Sequence, residues 1–218
     1  MTLLLAIEGG DGAGKATAAA EVARQLVAGG RSATVLSFPR YADTVGGWAL
    51  GEMLGGRLPR PVSPRAAAVL YALDRLESRD VLLAAMADHE VVVLDRYIAS
   101  NLVYQAAKVP ADAAAELMTW TWSLETGAFA LPAPDLSVYL DTPVAVAQRQ
   151  IAAKRQRSYT DRTFDENEAD LDLQRRVRDN YAALATAGWA GRWVTVQTVA
   201  DGAMRSPESI ASEIVGTS

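Results

Sequence analysis

The sequence has no cysteine, a single histidine and no long hydrophobic run, and each shortage removes a class of protein. Without cysteine there is neither a disulfide nor a thiolate zinc site. With His89 alone, a histidine-based metal site or a serine triad is not expected, and we interpret this residue as part of a surface loop. No apolar stretch approaches the length of about 18 residues that a membrane span requires, and no signal-peptide pattern is present. We therefore expect a cytoplasmic protein without a membrane partner.

Strong positive charge is also lacking. The formal net charge is −5 over 218 residues, which argues against broad binding to nucleic acid or to a membrane surface. Hydrophobic residues make up 50% and charged residues 22% of the chain, as in an ordinary globular protein with a core. We expect one domain over residues 1–218, with a mobile subsection.

The most informative stretch is residues 3–17, which read LLLAIEGGDGAGKAT. An apolar run, a glycine-rich segment and an alanine-rich helical pattern predict a strand, a loop and a helix. The spacing Gly9-x-x-x-x-Gly14-Lys15 is that of a phosphate-binding loop, in which backbone N–H groups and the helix N-terminus hold an anion. Lys15 would reach the β- and γ-phosphates. The alternative is a glycine-rich turn without a ligand, but the position between strand and helix favours the phosphate loop.

The loop departs from its usual pattern at one position. Ser or Thr is expected after the lysine to hold magnesium, but this chain has Ala16, and Thr17 comes one residue late. A shift of one residue turns a helical side chain by about 100°, so Thr17 does not substitute. Phosphate binding is unaffected by the change, whereas the usual magnesium ligand is missing.

Strands and helices alternate along the rest of the chain. The strands are buried apolar runs, which is typical of a parallel sheet covered on both faces, and the fold class is a three-layer α/β fold with a five-stranded parallel sheet. Residues 149–166 are polar and basic, without a clear period from 152 onwards, and are predicted to form a lid. The other predicted strands are 32–37, 91–94, 136–140 and 193–196, and the predicted helices are 15–28, 46–56, 63–87, 98–107, 111–128, one from 143, 171–187 and one from 206.

Ligands collect beyond the carboxyl ends of the strands in such sheets. The second strand ends in Phe38-Pro39-Arg40-Tyr41, and the third in Asp95-Arg96-Tyr97, followed by Ser100, Asn101 and Tyr104. A strand-end Asp95 after a phosphate loop has the form of a Walker B carboxylate. Tyr71 and Arg75 are four residues apart on a predicted helix and could together hold a flat base. The alternative, a helix packed through Tyr71 with Asp74 and Arg75 in solvent, stays open.

The basic stretch contains Arg149, Lys154, Arg155, Arg157 and Arg162. Arginines that close over a transferring phosphoryl group stabilise its charge and exclude water. The alternative is a solvated charged face.

The segments EGGDGAGK, FPRY, ALDR, LDRYIASNLVY and PDLSVYLD, with the basic stretch before a long helix, resemble the thymidylate kinase family in order and spacing over nearly the whole chain. The resemblance is closest to the form found in high-GC bacteria, which also lacks Ser or Thr after the lysine. It implies the P-loop nucleoside monophosphate kinase fold and a homodimer. The implied reaction transfers the ATP γ-phosphate to dTMP, giving dTDP and ADP in dTTP synthesis, with ATP as co-substrate and Mg²⁺ as cofactor.

The family pattern also implies roles for residues. Tyr71 stacks on thymine, Arg75 and Asn101 bond its polar edge, and Tyr104 crowds the position of a ribose 2′-hydroxyl. The catalytic residues are Lys15, Asp11, Arg96, Arg155, Arg157 and Arg162, since Ala13 stands where one branch has an arginine. The ATP-binding residues are Gly9, Gly10, Asp11, Gly12, Ala13, Gly14, Lys15, Ala16, Thr17 and Arg149. The dTMP-binding residues are Phe38, Pro39, Tyr41, Tyr71, Arg75, Arg96, Ser100, Asn101, Tyr104 and Asp165.

Magnesium needs other ligands here because Ala16 has no hydroxyl. The expected ligands are Asp11 and one carboxylate after the lid, from among Asp165, Glu166 and Glu168, with Glu168 as the candidate named for the site and Asp95 at the strand end. In the alternative arrangement Asp95 alone holds an ATP-bound magnesium through waters. No general base is needed, because the attacking phosphate oxygen is already ionised at neutral pH.

Two other functions remain as alternatives. One is a P-loop kinase of another small acceptor, and the other is a nucleotide-binding regulator without turnover, prompted by Ala16. A GTPase is disfavoured because the guanine-reading N-K-x-D motif is absent.

Overall fold

A computed structural model describes residues 2–157 and 170–218, and of residues 154–157 it describes the backbone only. The main strands are β1 (Leu3–Glu8), β2 (Ala33–Ser37), β3 (Val91–Asp95), β4 (Leu136–Asp141) and β5 (Trp193–Gln197). They form one parallel sheet in the order β2–β3–β1–β4–β5, which confirms the predicted five-stranded parallel sheet.

Helices follow the strands and cover the sheet. They are α1 (Lys15–Ala28), α2 (Val45–Leu54), α3 (Pro64–Glu77), α4 (Arg79–Asp88), α5 (Ile98–Ala106), α6 (Ala111–Trp122), α7 (Val144–Arg157), α8 (Leu171–Ala187) and α9 (Pro207–Val215). Ser63 and Ser206 cap α3 and α9 as the Ser-Pro pairs predict, with their hydroxyl oxygens accepting from N–H groups three residues ahead. Within the described part of the chain, no helix is both long and apolar enough to cross a membrane.

The side chains of β1 show why the strands read as unbroken apolar runs. Leu5 and Ile7 belong to a buried cluster with α1 and α9 on one side of the sheet. Leu4 and Ala6 belong to a second cluster with α4 and α5 on the other side. Successive side chains of a strand point to opposite faces, so both faces of β1 are covered and both need apolar residues.

The register of the central strands brings their carboxyl ends together. Asp95 at the end of β3 lies opposite Ile7 of β1 and Ser37 of β2, and Glu8 lies opposite Tyr139 of β4. The loops that leave β1, β2 and β3 therefore start from one edge of the sheet, where the sequence predicts the site.

Three predicted helices differ from the observed ones. The helix predicted over residues 63–87 is divided at Ser78, whose hydroxyl donates to the carbonyl oxygen of Asp74 at 2.8 Å. Such local bonds compete with the helical ladder. The helix predicted over residues 111–128 continues after Trp122 as a wider π-helical turn, Ser123–Ala128. Helix α7 extends to Arg157, although residues from 152 show no helical period.

A short hairpin was not predicted. Strands β6 (Val199–Ala200) and β7 (Ala203–Met204) pair antiparallel around Asp201 and Gly202. These two residues have φ of 51° and 77°, the conformation that an Asp-Gly hairpin turn requires.

Candidate active site

The phosphate loop joins β1 to α1 at the carboxyl end of the central strand. Gly12 and Gly14 have φ of 77° and 85°, a left-handed conformation that glycine adopts without strain. Gly12 is constrained further, because a Cβ there would lie 2.3 Å from the carbonyl oxygen of Ala147 in α7. Among the described residues no side chain caps α1, so its first N–H groups remain available to an anion.

Lys15 begins α1, and it is buried, with 6% of its surface exposed. Its ammonium group donates to the carbonyl oxygen of Gly10 at 2.6 Å, inside the loop itself. Burial lowers the pKa of Lys15 to about 7, and the positive charge of Arg96 acts in the same direction, against the opposing effect of nearby carboxylates. The lysine therefore lies where a phosphate oxygen could replace the carbonyl as its partner.

Asp11 in the loop is the centre of a hydrogen-bond network. Its Oδ1 accepts from the guanidinium of Arg96, and its Oδ2 accepts from the hydroxyl of Tyr104 at 2.7 Å and from the amide of Gln174 at 3.1 Å. Burial acts to raise the pKa of Asp11, but the charges of Arg96 and Lys15 and these hydrogen bonds outweigh it and lower the pKa. An ionised Asp11 thus joins the loop to β3, α5 and α8.

Arg96 directly follows β3 and has a φ of 65°, a conformation uncommon outside glycine. Besides Asp11, its guanidinium contacts the carbonyl oxygen of Gly9 at 3.4 Å and the hydroxyl of Ser100 at 3.3 Å. The guanidinium carbon lies 5.4 Å from the centre of the Tyr104 ring. The predicted residues Arg96, Ser100, Tyr104 and Asp11 are therefore brought together beside the loop.

Glu8 binds the other side of this network, although no role was predicted for it. Its carboxylate is fully buried and accepts from the backbone N–H of Tyr97 at 2.9 Å, from Ser100 at 2.6 Å and from Tyr181 at 2.9 Å. Burial raises the pKa of Glu8 in spite of these hydrogen bonds. A signal was available, since an acidic residue ends an otherwise apolar strand directly before the glycines.

Arg75 and Asn101 come together around a third residue that was also missed. Glu125 in the π-helical turn accepts from Arg75 Nε at 2.5 Å and Nη2 at 2.6 Å, and from the Asn101 amide at 2.8 Å. Arg75 is 2% exposed and Glu125 is fully buried. Nothing in the sequence pattern singles out Glu125. The alternative in which Asp74 and Arg75 face solvent is wrong, because both are buried.

Asp74 anchors the loop that leaves β2. Its carboxylate accepts from the backbone N–H of Arg40 at 3.2 Å and from the Thr44 hydroxyl at 2.5 Å, and burial raises its pKa. Phe38 is buried, with its ring centre 5.9 Å from that of Tyr97, whereas Tyr41 is 46% exposed. Helix α3 therefore fixes the predicted Phe38-Pro39-Arg40-Tyr41 segment as well as Arg75.

Of the remaining predicted site residues, some lie within the described part of the chain and others lie outside it. Tyr71 is half-buried one helical turn before Arg75. Ala16 and Thr17 are exposed in the first turn of α1, and Arg149 is exposed on α7. Outside the described residues lie Arg162, Asp165 and Glu168, and the side chains of Arg155 and Arg157.

The carboxylates near the loop differ in how fully they are bonded. Both oxygens of Asp11 accept hydrogen bonds, whereas the buried Oδ1 of Asp95 has no partner in the described part of the chain. Over residues 2–157 and 170–218 no group of three His, Cys, Asp or Glu side chains forms a metal cluster. Magnesium usually binds through only one or two carboxylates, with phosphates and waters, so an open Asp95 oxygen fits it.

A phosphate loop on the central strand of a parallel sheet, beside a strand-end carboxylate, defines a P-loop nucleotide-binding α/β protein. The sequence profile of the family described as "Thymidylate kinase" matches residues 7–201. The chain belongs to the thymidylate kinase family, phosphotransferases that act on dTMP, as the resemblance predicts.

Relatives from distant sources support this assignment over most of their length. The thymidylate kinase of Mycobacterium tuberculosis is 38% identical over 195 residues, 89% of this chain and 91% of the relative. The thymidylate kinase of Leifsonia xyli is 34% identical over 214 residues, covering 97% and 92%. A probable thymidylate kinase of Pyrococcus abyssi is 33% identical over 217 residues, covering 96% and 92%.

Proposed function

We propose that this protein transfers the γ-phosphate of ATP to dTMP, giving dTDP and ADP. The observation that carries the proposal is the bonding of Asp11 in the phosphate loop to both Arg96 and Tyr104. These two residues follow β3 and belong to the predicted acceptor side. One hydrogen-bond network thus spans the predicted ATP side and the predicted dTMP side, as a transfer between two bound nucleotides requires.

On the ATP side, the backbone of the phosphate loop and Lys15 bind the phosphates. The loop residues are placed around the uncapped start of α1, and Lys15 needs only to exchange its bond to Gly10 for a phosphate oxygen. Arg149 is exposed on α7, the helix against which Gly12 packs, and we assign it to ATP binding. Arg155, Arg157 and Arg162 are assigned to a lid over the transferring group.

On the dTMP side, the predicted residues divide between base, sugar and phosphate. Tyr71, Arg75 and Asn101 bind the base, and the bonding of Arg75 and Asn101 to a shared Glu125 supports a joint role. Tyr104 excludes a ribose 2′-hydroxyl. The groups assigned to the sugar and the acceptor phosphate are Phe38, Pro39, Tyr41, Arg96, Ser100 and Asp165.

These residues position and neutralise, and none has to remove a proton. An acceptor phosphate is ionised at neutral pH and is already a nucleophile. Arg96 can stabilise the negative charge that develops on the oxygens of the transition state, because its guanidinium is positively charged at every physiological pH.

Magnesium would be held by Asp95 and Asp11, with Glu168 as the third candidate ligand. When bound, the ion neutralises charge on the transferring phosphates. The unpartnered Oδ1 of Asp95 supports that residue most directly, whereas Asp11 would have to share oxygens that already accept hydrogen bonds.

We also propose a homodimer located in the cytoplasm. Val45 and Trp48 on α2 are 64% and 60% exposed, and an exposed apolar pair of this kind favours an interface. ATP and dTMP as substrates favour the cytoplasmic location. Light scattering of the purified protein measures the oligomeric state directly, and a monomeric mass at micromolar concentration contradicts the dimer.

An ADP-release assay over a panel of nucleoside monophosphates tests the function. We expect dTMP to give the highest kcat/KM, with ADP formed one for one with dTDP. Lys15→Ala is the matched control and is expected to lose about 10²-fold or more in kcat. Preference for another acceptor would identify a different P-loop kinase, and ATP binding without turnover on any acceptor would identify a regulator.

A further inference from the structure

The buried pair of Arg75 and Glu125 fixes a side chain that is assigned to the base. Both contacts are short, 2.5 Å from Nε and 2.6 Å from Nη2, and both oxygens of the carboxylate take part. A two-point contact of this kind fixes the plane of the guanidinium as well as its position. The N–H groups of Arg75 that do not face Glu125 therefore point in a defined direction, and arginine has only donors to offer there.

Glu125 also determines which way the amide of Asn101 is turned. The Asn101 nitrogen lies 2.8 Å from a Glu125 oxygen and 3.0 Å from the carbonyl oxygen of Ala68. Both neighbours are acceptors, so both must face the NH₂ group and not the amide oxygen. The remaining Oδ1 is buried and has no partner among the described residues, which makes it an acceptor without a donor.

Arg75 thus offers N–H donors, and Asn101 offers one acceptor oxygen beside them. Thymine and uracil present an acceptor, O4, beside a donor, N3–H. Cytosine presents the reverse, an N4 amino donor beside the N3 acceptor. A polar site that binds one such edge rejects the other strongly, because the wrong base leaves buried groups unpaired.

We infer that Glu125 is a specificity-determining positioning residue: it fixes the direction of Arg75 and Asn101 so that the site accepts thymine and uracil edges and rejects cytosine. This inference rests on the proposed function, because it takes Arg75 and Asn101 to contact the base. Glu125 itself acts only through these two side chains.

Glu125→Gln tests the inference by replacing one acceptor oxygen with a donor. The new NH₂ group must face a donor of Arg75 or of Asn101, so one of the two side chains has to turn. We expect kcat/KM for dTMP and dUMP to fall about 100-fold, while that for dCMP changes less than about threefold. The Kd for ATP should not change. Calorimetry of dTMP and dCMP binding in the absence of ATP gives the ratio of their Kd values, which reports on base selectivity independently of turnover.

Glu125→Asp covers the case in which the glutamine variant does not fold. It keeps the buried charge beside Arg75, but its shorter side chain cannot hold Arg75 and Asn101 together. The ratio of kcat/KM for dTMP to that for dCMP should therefore again decrease. Leu117→Ala is the control, since it opens a cavity in α6, the helix that the π-helical turn of Glu125 continues, and removes no hydrogen bond from Arg75 or Glu125. The Leu117→Ala variant should have the same ratio of kcat/KM for dTMP and dCMP as the wild-type protein.

Two results overturn the inference. One is an equal fall in kcat/KM for dTMP, dUMP and dCMP in the folded Glu125 variants. The other is a ratio of kcat/KM for dTMP and dCMP that is unchanged from wild type. Both are measured against wild-type turnover of dTMP, so they are distinct from a failure of the proposed function. If wild type itself does not prefer dTMP, the proposed function fails first, and the binding ratios of the variants still report on Glu125.

Discussion

Binding of ATP should draw a proton onto Lys15. In the free protein, burial lowers the pKa of this lysine to about 7, with the charge of Arg96 adding to the effect. A phosphate group that replaces the Gly10 carbonyl as its partner brings negative charge next to the ammonium and raises the pKa again. The charged form is then the bound form, so a neutral Lys15 must be protonated when ATP enters.

The size of the effect follows from the pKa. Half a pH unit above a pKa of about 7, roughly three-quarters of the lysines are neutral, and binding takes up about 0.8 proton. The sign is also fixed. Below pH 7 the lysine is already charged and affinity is constant, whereas above pH 7 affinity falls with rising pH, by about tenfold between pH 6 and pH 8.

Calorimetry in two buffers of different ionisation enthalpy measures the proton uptake directly. Magnesium is kept saturating so that the nucleotide itself does not titrate in this range. Lys15→Arg is the matched control, because a guanidinium stays charged and should abolish both the uptake and the pH dependence. Lys15→Ala should bind more weakly at every pH, with no uptake.

A proton uptake near zero at pH 7.5 in the wild-type protein would refute this reasoning. So would an identical pH dependence in wild type and Lys15→Arg, since the titrating group would then be another residue. Either outcome would mean that Lys15 is charged in the free loop in spite of its burial.

Three further predictions follow from the same contacts. Arg75→Ala should weaken dTMP binding by about 1–3 kcal/mol and lower the free energy of unfolding by about 3–5 kcal/mol, because the buried Glu125 keeps its bond to Asn101 but loses its cationic partner. Calorimetry and urea unfolding check these two values, and an equal loss of ATP affinity contradicts a role in binding the base. Tyr104→Ala should narrow the gap in kcat/KM between dTMP and its ribo analogue, and an equal fall for both makes Tyr104 a packing residue. Asp95→Asn should raise the magnesium concentration needed for half-maximal activity more than Asp11→Asn does, since only Asp95 has an unpartnered oxygen; the reverse order in a magnesium titration favours the loop carboxylate.

The parts of the fold that the sequence predicted are those with local causes. Buried parallel strands need apolar residues on both faces, so β1 and β3 stand out as apolar runs, and the glycines and Lys15 between β1 and α1 mark the loop. Helix starts at Ser63 and Ser206 were visible because a serine cap and a proline follow fixed spacing. Placing Arg75 and Asn101 in one site relied on the resemblance to a family, not on spacing.

The parts that were missed depend on hydrogen-bond geometry that the pattern of apolar residues does not reveal. The π-helical turn that presents Glu125 differs from an α-helix by one residue in its hydrogen-bond spacing, which no hydrophobic period reveals. Ser78 divides α3 from α4 through a bond to the Asp74 carbonyl, although serine is tolerated in many helices. The Asp201-Gly202 turn did carry a hairpin signal, but its two-residue strands are too short to show alternation.

The balance of charge around the loop explains why a kinase of this kind needs groups beyond the described site. Arg96 and the protonated fraction of Lys15 supply the nearby positive charge, and Asp11 and Asp95 oppose it with negative charge. Two nucleotides bring several further negative charges to the same place, and in a buried site uncompensated like charges repel strongly. Additional positive charge must therefore arrive with the substrates or close over them. Magnesium can supply part of it and the arginines of the proposed lid the rest, which keeps the free protein from holding an excess of buried positive charge before the nucleotides bind.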